Sequence, residues 1–506
     1  LIKVIGANKD SYITDKFVKG TRVTGSNVGN AATLDLFKLY DVTSSGSTAL
    51  TELSRILIHF DLSTIASLYE SRQIDITNGT FNVKLKLFDV YGGQPTPNNF
   101  VVNLYPLSKS FDEGIGRDIA YFSDKDVCNF MSASRVSGSW FMSGCAMSGG
   151  LPGQNGLIDY ITASSYVNGG QSLLKQQTFV TGEEDLELDV TQIVSATLVG
   201  LLPDSGFRIS YADSHETDQR TYFVKRFAAK NAYDYSKRPQ LIMKYDDSIQ
   251  DDSLSLSTDI SGTLVFYNYG VSGLENLMSG TSVITGSNCV LLHLRTEVSG
   301  GYQEYVFTGS QHKTGQYYVS GVYSSSVYLS SLNSSIRRLL NESGSVKLTP
   351  IWSSLDNTVP FLTASKVYLF DNKKSTTLIS QKAYVVNVHN VKERYSPDEQ
   401  TIFRVNVFDK SSPSLFWTKL PIEHSGVSVR DMHYCIKDAT TRETIISYDT
   451  VYNSTKLSSD TKGMFFKFDM SSLPKNRTYV IELMSVRGTE RTVFQEVGQI
   501  FRVSEQ

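Results

Sequence analysis

Apolar and polar residues alternate with a period of two over much of the chain. Phe81, Val83, Leu85 and Leu87 are apolar, and Asn82, Lys84 and Lys86 lie between them, the pattern of a strand with one wet face. Residues 186–190, 207–211 and 241–245 are short runs of the same kind, bounded by Gly, Asn, Asp or Pro. Helical signals are few. Asp189 or Thr191 is placed to cap a short helix through Ile193, Val194, Leu198, Leu201 and Leu202, and a second helix is predicted over 330–341 with Ile336, Leu339 and Leu340. Neither is long enough to build a helical layer, so both serve as crossovers. The pattern predicts an all-β chain of tandem antiparallel β-sandwiches.

At roughly 150 residues per domain, 506 residues hold three or four domains. The clearest change of composition is at 246–259, where Asp246, Asp247, Asp251 and Asp252 stand among serines. That cluster lacks the D-x-D-x-D-G calcium-loop pattern and is expected to be a solvated linker. A second boundary is expected near Phe370, Asp371, Asn372, Lys373 and Lys374, ahead of an alternating strand at 383–388. The expected domains are therefore 1–247, 248–375 and 376–506. The last is patterned as an immunoglobulin-like sandwich, with strands around 403–407, 433–436, 464–468 and 479–486. Phe60-Asp61-Leu62-Ser63-Thr64-Ile65 is echoed by Phe468-Asp469-Met470-Ser471-Ser472-Leu473, which we attribute to shared strand-to-turn chemistry rather than to a repeat.

Composition narrows the function. Forty-eight Lys plus Arg against 51 Asp plus Glu leave a net charge of −3, without the basic excess of a nucleic-acid binder, and Lys225-Arg226 and Arg337-Arg338 are isolated doublets. No stretch has the roughly 18 apolar residues of a membrane span, and no basic-apolar-small signal opens the chain. Cys128, Cys145, Cys289 and Cys435 are too few and scattered for a disulfide framework, and free thiols of a reducing cytoplasm are expected. The motifs HExxH, GxSxG, GxxxxGK[ST] and paired CxxC are absent. No catalytic, cofactor-binding or metal-binding residue is therefore assigned.

Seven histidines, at 59, 215, 293, 312, 389, 424 and 433, fall in no recognisable constellation, and His293 and His389 are expected to be structural. Glu183-Glu184-Asp185, Asp112-Glu113 and the set Asp213, Glu216 and Asp218 invite a glycoside-cleaving pair. Adjacent acids on a strand point to opposite faces, however, and solvated turns are expected. A sugar-binding face would use exposed rings; the candidates are Tyr105, Phe111, Trp140, Phe141 and Tyr160, for which a place in the core is the favoured reading. The N-x-[ST] sequons at Asn78, Asn341, Asn453 and Asn476 are taken as chance matches.

An ordered series of motifs over residues 1–247 resembles the DNRLRE-type β-sandwich, a carbohydrate-binding-like module of surface proteins. It comprises residues 54–63 ending in Phe60-Asp61-Leu62-Ser63, Tyr105-Pro106-Leu107, Phe111-Asp112-Glu113-Gly114, Ser139-Trp140, Asp189-Val190-Thr191, Phe227-Ala228-Ala229-Lys230 and 238–245. Phe111 stands where that family usually has Trp. Residues 110–248 are also similar to structural proteins of tailed bacteriophages, cyanophages in particular. The resemblance implies a jelly-roll, carbohydrate-binding-module-like first domain. It further implies a non-enzymatic virion component of the neck, tail, baseplate or fibre attachment, assembled in the host cytoplasm as an oligomer with other virion proteins. The alternative is an adhesin that grips host polysaccharide through Trp140, Phe111 and Tyr105. No cofactor, nucleic-acid partner or membrane span is expected.

Overall fold

The computed structural model describes residues 1–41, 50–93, 95–120, 122–124, 126–136, 138–153, 157–254, 256–271, 273–372, 384–409, 427–495 and 497–504. Lys373, Lys374 and Ala383, expected at the second boundary and its following strand, lie outside these residues, as does His424. The chain is mostly strand, in antiparallel sheets. It separates into two compact units: Ile2–Tyr69 with Phe81–Lys244, and Leu1 and Glu70–Thr80 with Tyr245–Gln506.

The first unit is built on β1 (Ile2–Thr14), β2 (Thr33–Asp41), β3 (Leu50–Phe60), β4 (Asn82–Leu87), β5 (Phe100–Pro106), β6 (Lys175–Phe179), β7 (Leu186–Asp189), β8 (Phe207–Tyr211), β9 (Tyr222–Ala228) and β10 (Gln240–Lys244). β1 belongs to both layers. Its first residues pair with β10, and after a register shift between Ala7 and Lys9 the rest pairs with β3. Such a bulge lets one strand turn a corner between sheets. One layer continues from β10 through β4 to β7, and the other from β3 through β8 and β5 to β6. β2 joins the start of β3 to β9. In β4 the expected alternation holds for Val83, Leu85 and Leu87, which are buried, and for Lys84 and Lys86, which are not, but Asn82 is buried as well.

β8 departs from the expected wet face, for all five of its residues are buried. The segment inserted between β5 and β6 covers it. Leu107, Phe111, Cys128, Ala133, Trp140 and Cys145 pack on Ile13 and Leu57 as a small second core. The outer face of this sheet is thus an interior surface, and its polar residues must find partners there.

Two helices stand close to their expected places. Thr191–Leu198 buries Ile193, Val194 and Ala196, but no side chain caps it; the Asp189 carboxylate accepts from Thr191 N at 3.0 Å, just ahead of the first turn. Ser334–Ser343 is capped by Asn333, whose carboxamide oxygen accepts from Ser335 N and Ile336 N, and it ends at Gly344 with φ 71°. A third helix, Ser63–Glu70, carried no strong sequence signal.

The second unit holds two sets of sheets. The first contains β11 (Gly262–Tyr267), β12 (Val290–Val298), β13 (Gly301–Thr314), β14 (Tyr317–Val327) and β15 (Ser345–Ser353) around Leu264, Phe266, Leu292, Leu294, Tyr323 and Trp352. The second pairs β16 (Gln400–Asp409) with β17 (Gly463–Asp469), and β18 (Met432–Asp438) with β19 (Arg477–Arg487). Tyr434 of β18 stacks on Phe466 of β17 with ring centroids 4.3 Å apart, so the two layers of this C-terminal sandwich meet through aromatic rings. The echoed hexapeptides share one local device. Phe60 and Phe468 lie at strand ends, and the following Asp61 and Asp469 accept from the N–H two residues on, at 2.9 and 3.0 Å.

Candidate functional site

The candidate rings for a sugar platform are mostly interior, as the favoured core reading has them. Trp140 is 5% exposed and donates its indole N–H to Asn129 O at 2.9 Å; Phe111 is 1% exposed. A ring buried on both faces offers no surface to a pyranose, so the assignment of these two as ligand residues is corrected to core. The physical reason is the inserted segment, which needs bulky side chains to cover a sheet. Tyr105 is half-buried, with its ring centroid 5.1 Å from that of buried Tyr160. Phe141 is exposed and carries the Lys109 ammonium 3.9 Å from its ring centroid.

The acidic candidates are engaged in local structure. Burial acts upward on Glu184, but N–H groups of Val180, Thr181 and Gly182 point at its carboxylate and bring it down to about 2. Burial likewise opposes Asp218, yet hydrogen bonds from Lys38 and Tyr222 hold it at about 2. Glu216 forms a two-pronged pair with Arg55, at 3.0 Å to Nε and 2.6 Å to Nη2, under the inserted segment. Neither Glu184 nor Asp218 is poised to hold a proton near neutral pH.

The closest approach to chemistry lies where three of the resemblance segments converge. Glu113 comes from the turn after Phe111, Lys230 from the end of 227–230, and Arg238 from the start of the closing segment. The Glu113 carboxylate lies 2.5 Å from the Lys230 ammonium and accepts from Asp10 N at 2.8 Å. Lys230 N in turn donates to the Asp10 carboxylate at 2.6 Å. Burial pushes Asp10 up to about 7; the Lys230 N–H works against this and the Glu113 charge adds to it. Beside the cluster is a shallow cavity of about 240 Å³ lined by Gly6, Ala7, Lys230, Asn231 and Arg238. Asp10 is 1% exposed and does not line it.

The arrangement is a clasp. Asn27 extends it, donating to Glu113 O and Cys128 O at 2.7 and 2.9 Å and accepting from Gly116 N at 2.8 Å. A Cβ on Gly116 would lie 1.9 Å from Asn27 O, and Gly114 has φ 78°, so both glycines are required by close approach and backbone angle. Sequence reasoning noticed Glu113 but missed Asp10 and Asn27; a single Asp or Asn in a strand carries no signal until its partner is known.

One array looks catalytic. His293 Nε2 lies 3.0 Å from Ser353 Oγ, and its Nδ1 lies 3.3 Å from Glu304 Oε1 without a hydrogen bond. Ser353 is 1% exposed and its hydroxyl donates to Ser354 O, so no acyl group can reach it. Among the described residues no group of three or more His, Cys, Asp or Glu is placed to hold a metal ion. All four cysteines are free, and burial pushes the Cys128 and Cys145 thiols up to about 12, which makes them inert.

No family model and no curated protein matches the chain. Among solved structures, the chain is similar to a leucine-rich repeat protein from Bacteroides thetaiotaomicron (12% identity, TM-score 0.12), over 48% of this chain and 25% of that one. It is also similar to trypsin-activated alpha-2-macroglobulin from Escherichia coli (8% identity, TM-score 0.15), over 91% of this chain and 23% of that one. The chain thus spans about a quarter of the length of either protein.

Proposed function

We propose that this chain is a non-enzymatic structural component of a bacteriophage virion, at the neck, tail, baseplate or a fibre attachment, acting through protein-protein contacts. The observation that carries the reading is the fate of the resemblance segments: Glu113, Lys230 and Arg238 meet in space and are bonded to the sandwich itself. Residues spent in this way brace a scaffold. A contact surface is also at hand. Met131, Phe141, Met142 and Met147 are exposed on the inserted segment. Their loop is pinned by the buried Asp159 carboxylate, which accepts from the N–H groups of Phe141, Met142 and Met147 at 2.8, 3.1 and 2.9 Å. Adaptable apolar side chains on a rigid loop suit a protein partner, another virion protein or a second copy. The adhesin alternative has less support, since two of its three rings are buried.

The test is reconstruction of particles from the source by cryo-electron microscopy, with mass spectrometry of the same particles. Density that this sequence fits, at a symmetric position, is the expected result. Absence of the chain from purified particles overturns the reading.

A further inference from the structure

Within the second unit, residues 249–252 join the two sets of sheets. Ile249 O accepts from Ser459 N at 2.9 Å, and Asp251 N donates to Ser459 Oγ at 2.9 Å, so this stretch lies along the edge of the C-terminal sandwich. One residue later, Asp252 N donates to Thr263 O at 2.8 Å and Thr263 N donates to Asp252 Oδ2 at 2.9 Å, tying the chain to β11. Asp251 is therefore at the junction itself.

Its carboxyl group is 1% exposed. Oδ1 accepts from Ser253 N and Oγ, whereas Oδ2 has no hydrogen-bond partner. Tyr267 of β11 has a buried hydroxyl that is likewise unpartnered. The charged groups that face Asp251 are Asp252 from its own segment and Asp460 from the edge of the C-terminal sandwich, both of which disfavour a negative charge. Tyr267 faces it from β11, with Tyr269 just beyond and Arg404 of β16 acting on the same phenol. The cations are engaged elsewhere: Arg404 holds Asp460 at 2.6 Å and Arg430 holds Asp252 at 2.9 Å. An ionised Asp251 would bury a carboxylate with one bare oxygen beside two other carboxylates, which is costly, whereas a neutral one is not.

We propose that this junction is a proton-gated brace, closed while Asp251 is protonated and loosened when the proton is lost. Burial, helped by the charges of Asp252 and Asp460 against the Ser253 hydrogen bonds, pushes Asp251 up to about 7 from the ordinary 3.8. A group raised in the folded state stabilises it fully below its unfolded value and loses that contribution as pH rises through the folded one. Between pH 5.5 and 8.5 the opening constant of the junction should therefore grow by at least about ten-fold.

The test is amide hydrogen exchange on the full chain at these two pH values, each divided by the intrinsic rate. The amides of Asp251, Asp252, Thr263 and Ser459 are expected to lose at least about ten-fold protection at the higher pH while those of β12 do not. Asp251→Asn should abolish the difference. Equal behaviour of Asp251→Asn and the native chain, or no change in the native chain, overturns the proposal. If Asp251→Asn does not fold, Asp460→Asn decides. It removes a like charge and frees Arg404, so the midpoint of the loss must move to lower pH; an unmoved midpoint overturns the proposal.

Discussion

Asp10 shows how one residue can set a pH dependence. Its carboxyl is raised to about 7 mainly by burial, so its contribution to the first unit is complete below about 4 and lost as pH rises to about 7. The loss amounts to about 2–4 kcal/mol. Urea unfolding of the first unit should show a higher midpoint at pH 5 than at pH 8, and Asp10→Asn should flatten the difference. Trp140 poses the opposite question, because a residue suited to a sugar site stands in a core. Trp140→Ala should cost the first unit about 3–5 kcal/mol in the same assay. A variant of native stability that has lost glycan binding would instead restore the adhesin reading.

At the scale of elements, the inserted segment covers β3 and β8 and buries two arginines. Arg55 has a carboxylate partner in Glu216, and both side chains are nearly buried. Arg208 has none: Nε donates to Cys145 O at 2.9 Å, Nη1 to Ser210 Oγ at 2.7 Å, and the guanidinium lies 4.4 Å from the Tyr160 ring centroid. Glu216→Ala should therefore destabilise the first unit by about 3–5 kcal/mol, since it leaves Arg55 buried and unpaired. Arg208→Met, similar in volume and uncharged, should lie within about 1 kcal/mol of the native chain or be more stable. Limited proteolysis within the inserted segment would report both, with faster cleavage only for Glu216→Ala. The helix Ser334–Ser343 offers a smaller effect, for Asn333→Ala removes its cap at a cost of about 1 kcal/mol.

At the scale of the whole molecule, the two units each hold a buried acid raised to about 7, Asp10 in one and Asp251 in the other. Both therefore favour mildly acidic over alkaline conditions. If the chain is a virion component, Phe141→Asp with Met142→Asp should leave its thermal unfolding unchanged and lower its copy number in particles, as counted by quantitative mass spectrometry. The strands β4, β16 and β17 were legible in the sequence because a half-buried strand repeats every two residues and that period is written locally, whereas β18 and β19 are buried on both faces over most of their length and were legible only as short apolar runs. So was the all-β class. What lay beyond local reading depends on partners far apart in the chain. Glu113 meets Asp10 across 103 residues and Lys230 across 117, and no spacing rule links such positions. The five buried residues of β8 and the interior place of Trp140 follow from a segment folding over a sheet face that its own alternation marks as wet. Sequence alone thus determined which stretches became strands, through backbone geometry and side-chain period. Only the tertiary structure decided which faces stayed wet and which acids kept their protons, because burial and charge pairing are set by whatever distant segment arrives to cover them.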